Sequence, residues 1–274
     1  MTIDTVEIVR CHPESSRSQG VLNEMARGAK AVGIQVVSTS HYEGVAPWLL
    51  CWGYGTADRR AMMATQANKG GHYIALDLAY WNRKEKYRVS IDAAHPTEFV
   101  RRRSLSPSRF QADQVTLGNA WRLAGPILIA AQGAKAKAYY GEETVMRWQD
   151  EMARQCRARW PKRPIIYRQK RHGDPVPAWA TNVSCGGEID PVLNGTSLVI
   201  TWHSNVAVDA IRLGIPVVCR DGAASAISPS QLPDDDPVPV SKEIRDQFLA
   251  TLAWFQWGLR ETQECWRFVQ DCVA

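Results

Sequence analysis

Residues 197–219 read SLVITWHSNVAVDAIRLGIPVVC. The run opens on apolar 197–202 (SLVITW), short enough and continuous enough to be a strand buried on both faces. His203-Ser204-Asn205 follows. Residues 205–213 then carry apolar side chains at helical spacing until Gly214 closes the helix. Residues 215–219 (IPVVC) form another strand. Strand, helix and strand joined by connections this short are the repeating unit of a parallel sheet covered by helices.

The same cycle extends on both sides of this stretch. Upstream, 126–131 (PILIAA) is a strand that runs into Gln132-Gly133-Ala134-Lys135. A long helix covers about 141–159, with Val145, Trp148 and Met152 on one side, and 164–168 (PIIYR) is the next strand; 173–196 is rich in loops. The first half shows its own series. Residues 5–11 form a strand, 19–32 a helix ending at Gly33, and 34–38 and 48–52 (WLLCW) two further strands. A helix follows, N-capped by Thr56 and stopped by Gly70-Gly71, and 72–78 (HYIALDL) is a fourth strand. Residues 96–113, rich in Pro, Ser and Arg, read as a linker with a basic surface. The tail from 241 reads as helical, and its stripe of Phe248, Leu252, Phe255, Trp257, Leu259 and Trp266 reads as core. The expected architecture is α/β, two doubly wound Rossmann-like domains facing a cleft. Their expected bounds are 1–112 and 113–240, with C-terminal helices 241–274 packing across both. Ligands in such sheets bind beyond the carboxyl ends of the strands.

The chain has 274 residues, of which 45% are hydrophobic and 22% charged. These are the values of an ordinary globular protein; they exclude collagen, long disorder and a cysteine-dense scaffold. Seven cysteines without a CxxC pair argue against a disulfide framework or structural zinc. No apolar run approaches a membrane span, and the N-terminus lacks a leader pattern, so the expected location is the cytoplasm. The net charge of +5 is unevenly spread. Residues 83–109 hold eight basic and three acidic residues, and 154–171 hold eight basic and no acidic ones, so the remainder is net acidic. Two basic segments on an acidic body point to an anionic partner, a phosphate-bearing ligand or nucleic acid, or else to solvated helix faces.

Several residues can carry chemistry. The helix start at His203, Ser204 and Asn205 is either an anion site, where amides lack partners and the dipole is positive, or a plain N-cap. Gly133 permits close backbone approach after the first strand of the second domain, and Lys135 follows it. Neither GxxxxGK[ST] nor GxGxxG occurs in the chain. Asp221-Gly222 after the last apolar strand reads as a ligand-facing loop or a turn. In the first domain Asp77 is a lone carboxylate near the end of an apolar strand, and either acts as catalytic base or caps a loop. His12 and Glu14, just after the first strand, are the alternatives. No DxD pair suited to a metal stands out, and Asp234-Asp235-Asp236 reads as a solvated run. His72 and His95 read as incidental.

Ser204, Asp209, Ala210, Gly214, Pro216 and Val217 follow the pattern Ser-x-x-x-x-Asp/Glu-Ala-x-x-x-Gly-x-Pro-Val. It resembles the donor-binding half of GT-B-type glycosyltransferases, nearest to capsule-polysaccharide transferases of the Kdo and polysialic acid kind. Arg168-Gln169-Lys170-Arg171-His172 resembles their Arg-x-His-Pro motif, with Lys170 at the His position and the Pro missing. Lysine is a competent phosphate ligand. The resemblance covers roughly 126–225. It implies transfer from a UDP- or CMP-sugar bound as substrate, with no further cofactor. Gly133, Lys135, Arg168, Lys170, His203, Ser204 and Asn205 would lie at the phosphates and Asp221 at the ribose. The stretch 245–261 (RDQFLATLAWFQWGLRE), with HSNVAVDA and DGAA, also resembles proteins of tailed phages. Phages encode glycosyltransferases that decorate hydroxymethylated bases of their own DNA. On that reading Arg83, Lys84, Lys86, Arg88 and Arg101 to Arg103, with Trp81 and Tyr87 interleaved, would track double-stranded DNA. The alternatives are a saccharide acceptor, or nucleotide binding without catalysis on the same fold.

Overall fold

The computed structural model describes residues 2–10 and 15–274, and in it the apolar runs pair into two sheets. The chain divides into one unit of Met1–Pro96 with Ala253–Ala274, and a second of Thr97–Leu252. In chain order the first unit holds β1 (Thr5–Val9), α1 (Ser16–Ala31), β2 (Gln35–Thr39), β3 (Trp48–Trp52), α2 (Ala57–Asn68), β4 (His72–Leu78) and β5 (Lys86–Ile91). The second holds α3 (Thr97–Arg102), α4 (Ser108–Ala112), β6 (Ile127–Ala130), α5 (Ala134–Tyr140), α6 (Glu142–Arg159), β7 (Ile165–Arg168) and β8 (Asn182–Ser184). It continues with α7 (Asp190–Leu193), β9 (Leu198–Thr201), α8 (Val206–Arg212), β10 (Val217–Cys219) and α9 (Lys242–Ala253). Finally β11 (Gln256–Gly258) and α10 (Thr262–Val273) return to the first unit. The segment expected as a linker therefore lies with the second unit, and the tail is divided between the two.

The first sheet runs β11-β5-β4-β3-β1-β2. Strands β1 to β4 are parallel, and β5 and β11 add an antiparallel edge. α1 starts at Ser16 because the Ser15 hydroxyl accepts the Ser18 amide at 3.2 Å. Thr56 caps α2 in the same way. One face of the sheet presents Val9, Leu49, Cys51, Tyr73 and Ala75 to Met62 and Met63 of α2. Tail helix α10 packs on α1. The Trp266 indole donates to the Met25 carbonyl at 2.8 Å, and Gly28 lets Thr262 approach so closely that a Cβ there would lie 2.6 Å from it.

One connection departs from the usual parallel crossover. β2 and β3 both pair with β1, so residues 40–47 must pass over β1, and they do so without a helix. This leaves amides of the strap to be satisfied from below, and buried Glu7 in the middle of β1 does it. Its Oε1 accepts from the Glu43 amide at 2.7 Å and the Thr39 hydroxyl at 3.2 Å; its Oε2 accepts from the Gly44 and Val45 amides at 2.8 and 3.0 Å. Gly44 has φ +69°, the left-handed turn that points these successive amides at one carboxylate.

The second sheet runs β10-β9-β6-β7-β8 and is parallel throughout. Ile127, Ile129, Ile165, Leu198, Ile200 and Val218 pack on Met152, Ala153 and Cys156 of α6. The doubly wound reading holds in both units: the chain builds outward from β6 to one side and comes back to its other side with β9. No helix among the described residues is long and apolar enough to cross a membrane.

Candidate functional site

In an open α/β sheet the crevice forms where neighbouring strands leave in opposite directions, just past their carboxyl ends. In the second unit that place lies beyond Ala130 of β6 and Thr201 of β9, which are adjacent strands. Residues 131–133 and 202–205 therefore line one edge, joined by the segments after β7 and β10. The two loops are tied together. Buried Gln132 donates from Nε2 to Thr201 Oγ1 at 2.8 Å, and the same hydroxyl oxygen accepts the Ser204 amide at 3.1 Å.

Several of the residues singled out from the sequence lie on these segments. Lys170, exposed after β7, lays its stem along Gly133, its Cγ 3.5 Å from where a Cβ on that glycine would stand. Ser204 Oγ accepts the Val206 amide at 3.4 Å, a weak capping bond, whereas the Asn205 side chain makes no capping bond. α8 is a short helix of 7 residues. Its Ala210 is fully buried and Gly214, at φ +68°, ends it, so this half of the motif builds the fold. Arg168 is used elsewhere: it donates to Ser184 Oγ at 2.6 Å and to the carbonyls of Gly186 and Gly187 at 2.5 and 3.2 Å, bracing the edge strand β8. The side chain of Lys135 lies outside the described residues.

Asp221 ends the fourth segment, and its carboxylate is occupied. Oδ2 accepts the Tyr140 hydroxyl at 2.5 Å and Oδ1 the Gly222 amide at 2.6 Å. Tyr140 also lies over Trp202 and His203, with ring centroids 5.2 and 5.4 Å apart. Neither Tyr140 nor Gln132 was singled out from sequence; a tyrosine ending a short helix bracketed by Gly133 and Gly141 was the available signal. Cys219, next to this loop, is a packing group, since burial pushes its thiol up to about 12.

The basic segments are largely committed to internal bonds. Arg157 binds the Trp179 carbonyl and Thr181, and Arg163 binds Asp236 at 2.7 Å, which also accepts the Trp160 indole at 2.8 Å. Arg159 pairs with Asp234 at 3.5 Å. The Asp234 to Asp236 run is thus partly paired with the end of α6 rather than purely solvated. In the first unit Arg83 and Lys84 are exposed on the loop after β4. Arg88, expected to face an acceptor, is only 5% exposed. The sequence pattern that made it look like a surface cation, KYRVSI, is instead β5, with Trp81 and Tyr87 also buried. Arg101 and Arg102 lie in α3 of the second unit, both paired with Glu98, and Arg101 also donates to the Ser225 carbonyl at 3.1 Å.

Asp77 lies at the carboxyl end of β4 but is not a lone carboxylate. It sits opposite Arg88 in the β4–β5 register, and its Oδ2 accepts from that guanidinium at 3.1 Å while Oδ1 accepts the Leu78 amide at 2.7 Å. Arg88 also donates from its terminal nitrogens to the carbonyls of Leu78 and Ala94, its buried Nε making no hydrogen bond, and it lies over the Tyr80 ring, whose hydroxyl meets His95 Nδ1 at 3.0 Å. His95 is thus a buried network member, and His72 pairs with Asp92 at 2.6 Å. His12 and Glu14 lie outside the described residues. Among the described residues no three His, Cys, Asp or Glu side chains are grouped to hold a metal ion.

Both units are therefore built on an open, doubly wound α/β sheet of the Rossmann-like kind. The chain is similar in fold to Thermosulfurimonas dismutans KpsC, a β Kdo 2,7 transferase, with TM-score 0.54 and 12% identity over 96% of this chain and 98% of that one. It is likewise similar to the β Kdo 2,4 transferase of the same organism's KpsC, with TM-score 0.53 and 13% identity over 92% and 91% of the two chains. No family model and no curated protein matches the sequence.

Proposed function

We propose that this chain is a glycosyltransferase that moves a sugar from a nucleotide-sugar to an acceptor hydroxyl. The observation that carries the reading is that the segments bearing Gly133, Lys170, His203 to Asn205 and Asp221 each follow the carboxyl end of one of the parallel strands β6, β7, β9 and β10, where doubly wound sheets hold ligands. A fold shared along its length with Kdo transferases supports sugar transfer as the chemistry. Lys170 supplies a point charge for the donor phosphates, the Gly133 backbone approaches them, and Ser204 and Asn205 add polar groups. The donor is a UDP- or CMP-activated sugar. Asp77 takes the proton of the acceptor hydroxyl as the new glycosidic bond forms and the nucleotide phosphate leaves.

A saccharide acceptor is better supported than a hydroxymethylated base in double-stranded DNA. The burial of Trp81, Tyr87 and Arg88 removes the aromatic and central basic members of the expected groove. Exposed Arg83 and Lys84 suit a saccharide bearing carboxylates. Salt separates the two acceptors. Transfer to a saccharide changes little between 50 and 200 mM salt, whereas a DNA acceptor using several phosphate contacts loses on the order of a thousandfold in affinity across that range. A steep loss would restore DNA.

Lys170→Ala tests the donor assignment. We expect calorimetric affinity for UDP or CMP to fall about ten- to a hundredfold, the worth of a charge-assisted hydrogen bond, with an unchanged melting temperature. Unchanged affinity for both nucleotides removes Lys170 from the site.

A further inference from the structure

Tyr140 lies against the segments that follow β9 and β10. Its hydroxyl sits on Asp221 Oδ2, and its ring covers Trp202 and His203. Beneath it, the Trp202 indole Nε1 is buried without a hydrogen-bond partner, in a residue only 8% exposed. Buried donors are nearly always satisfied, so one left over at a sheet's ligand edge calls for a reason. The element that carries Tyr140 is short, with Ala136 buried and the chain around it bracketed by glycines. α5 has 7 residues and no side-chain capping bond, begins after Gly133, and ends at Gly141 with φ +86°. It packs against α6, and the ion pair between them, Lys137 to Glu142 at 2.9 Å, involves a glutamate 69% exposed and contributes little.

We propose that Tyr140 is a displaceable stand-in for a nucleoside. Its phenol ring takes the place of a planar base against Trp202 and His203, and its hydroxyl takes the place of a ligand hydroxyl on Asp221. Binding exchanges one for the other: α5 turns outward about Gly133 and Gly141, Asp221 accepts from the ligand, and the Trp202 N–H gains an acceptor on it. The Tyr140–Asp221 hydrogen bond is then a latch that ligand must out-compete, and it lowers affinity by the fraction of molecules left open. The ligand's identity rests on the donor reading above; the latch itself rests on the contacts of α5.

Hydrogen exchange on the ligand-free protein reads the latch directly. Tyr140→Phe and Asp221→Asn should each speed exchange of the amides of 134–140 about tenfold or more, leaving β6, β9 and β10 unchanged, and the double variant should add nothing further. Calorimetry with UDP and CMP reads the competition: Tyr140→Phe should bind about tenfold more tightly than the parent protein. Unchanged exchange in both variants overturns the proposal. So does weaker binding by Tyr140→Phe, which would make Tyr140 a ligand contact. If neither protein binds any nucleotide while exchange across α5 still rises, the latch stands and the donor reading fails.

Discussion

Glu7→Ala lowers the stability of the protein by about 3–5 kcal/mol, a large share of what a domain of this kind possesses. The reason lies in the strap of residues 40–47. A parallel crossover normally uses a helix, which satisfies its own amides; this one does not, and the Glu43, Gly44 and Val45 amides and the Thr39 hydroxyl all donate to Glu7. Glu7 is 1% exposed. Truncation leaves four donors around a cavity, each unmet buried donor costing about 1–3 kcal/mol, reduced where water reaches the strap from outside. Glu7→Gln preserves the shape but turns one acceptor oxygen into an NH2 facing donors, so it too is destabilising, at about 1.5–3 kcal/mol. Urea unfolding measures both losses, and exchange of the amides of residues 43–45 should rise in each variant. A Glu7→Ala protein with its unfolding midpoint within experimental scatter of the parent would show that the strap is held by Tyr42 and Gln66 instead, which share a 2.7 Å hydrogen bond.

What the sequence exposed and what it hid follow from where charge is placed. β3 and β4 are readable to the residue because WLLCW and HYIALDL are apolar runs ended by glycine or turn residues. In the second unit β6, β7, β9 and β10 are readable for the same reason, and with them the segments that follow; β8 is not, because Asn182–Ser184 is a three-residue edge strand inside a loop-rich stretch. β5 was hidden because Lys86 and Arg88 make KYRVSI look like a basic surface. Only the fold discloses that Arg88 faces Asp77 across two strands, a pairing with no local signature. The tail strand β11 was absorbed into a helical reading because Phe255 and Trp257 fit a helical stripe as well as a strand edge. Asp221 was legible as a polar residue past a strand, but its partner Tyr140 lies 81 residues earlier, in a helix too short for periodicity to reveal.

Asp77→Asn should reduce single-turnover sugar transfer by a thousandfold or more (about 4 kcal/mol of barrier) while leaving nucleotide affinity unchanged. Asparagine retains the shape and an acceptor oxygen but cannot take a proton at neutral pH. The ion pair complicates the experiment, and its geometry says how. Arg88 is buried, while the Asp77 side chain is 39% exposed, so removing the carboxylate charge weakens one charge-assisted bond and leaves the guanidinium with the carbonyls of Leu78 and Ala94. A loss of about 1.5–3 kcal/mol in stability is therefore expected from Asp77→Asn alone. Replacing both partners, Asp77→Asn with Arg88→Met, removes the buried charge along with its counter-ion and should recover part of that stability, offset by the Leu78 and Ala94 carbonyls that lose their donor. Transfer distinguishes the two roles of Asp77. If the carboxylate acts on the acceptor, both variants are inactive per folded molecule, however stable. If it only anchors β5, the stabilised double variant regains transfer to within about tenfold of the parent, and the proton acceptor is then another residue, with His12 and Glu14 the next to substitute.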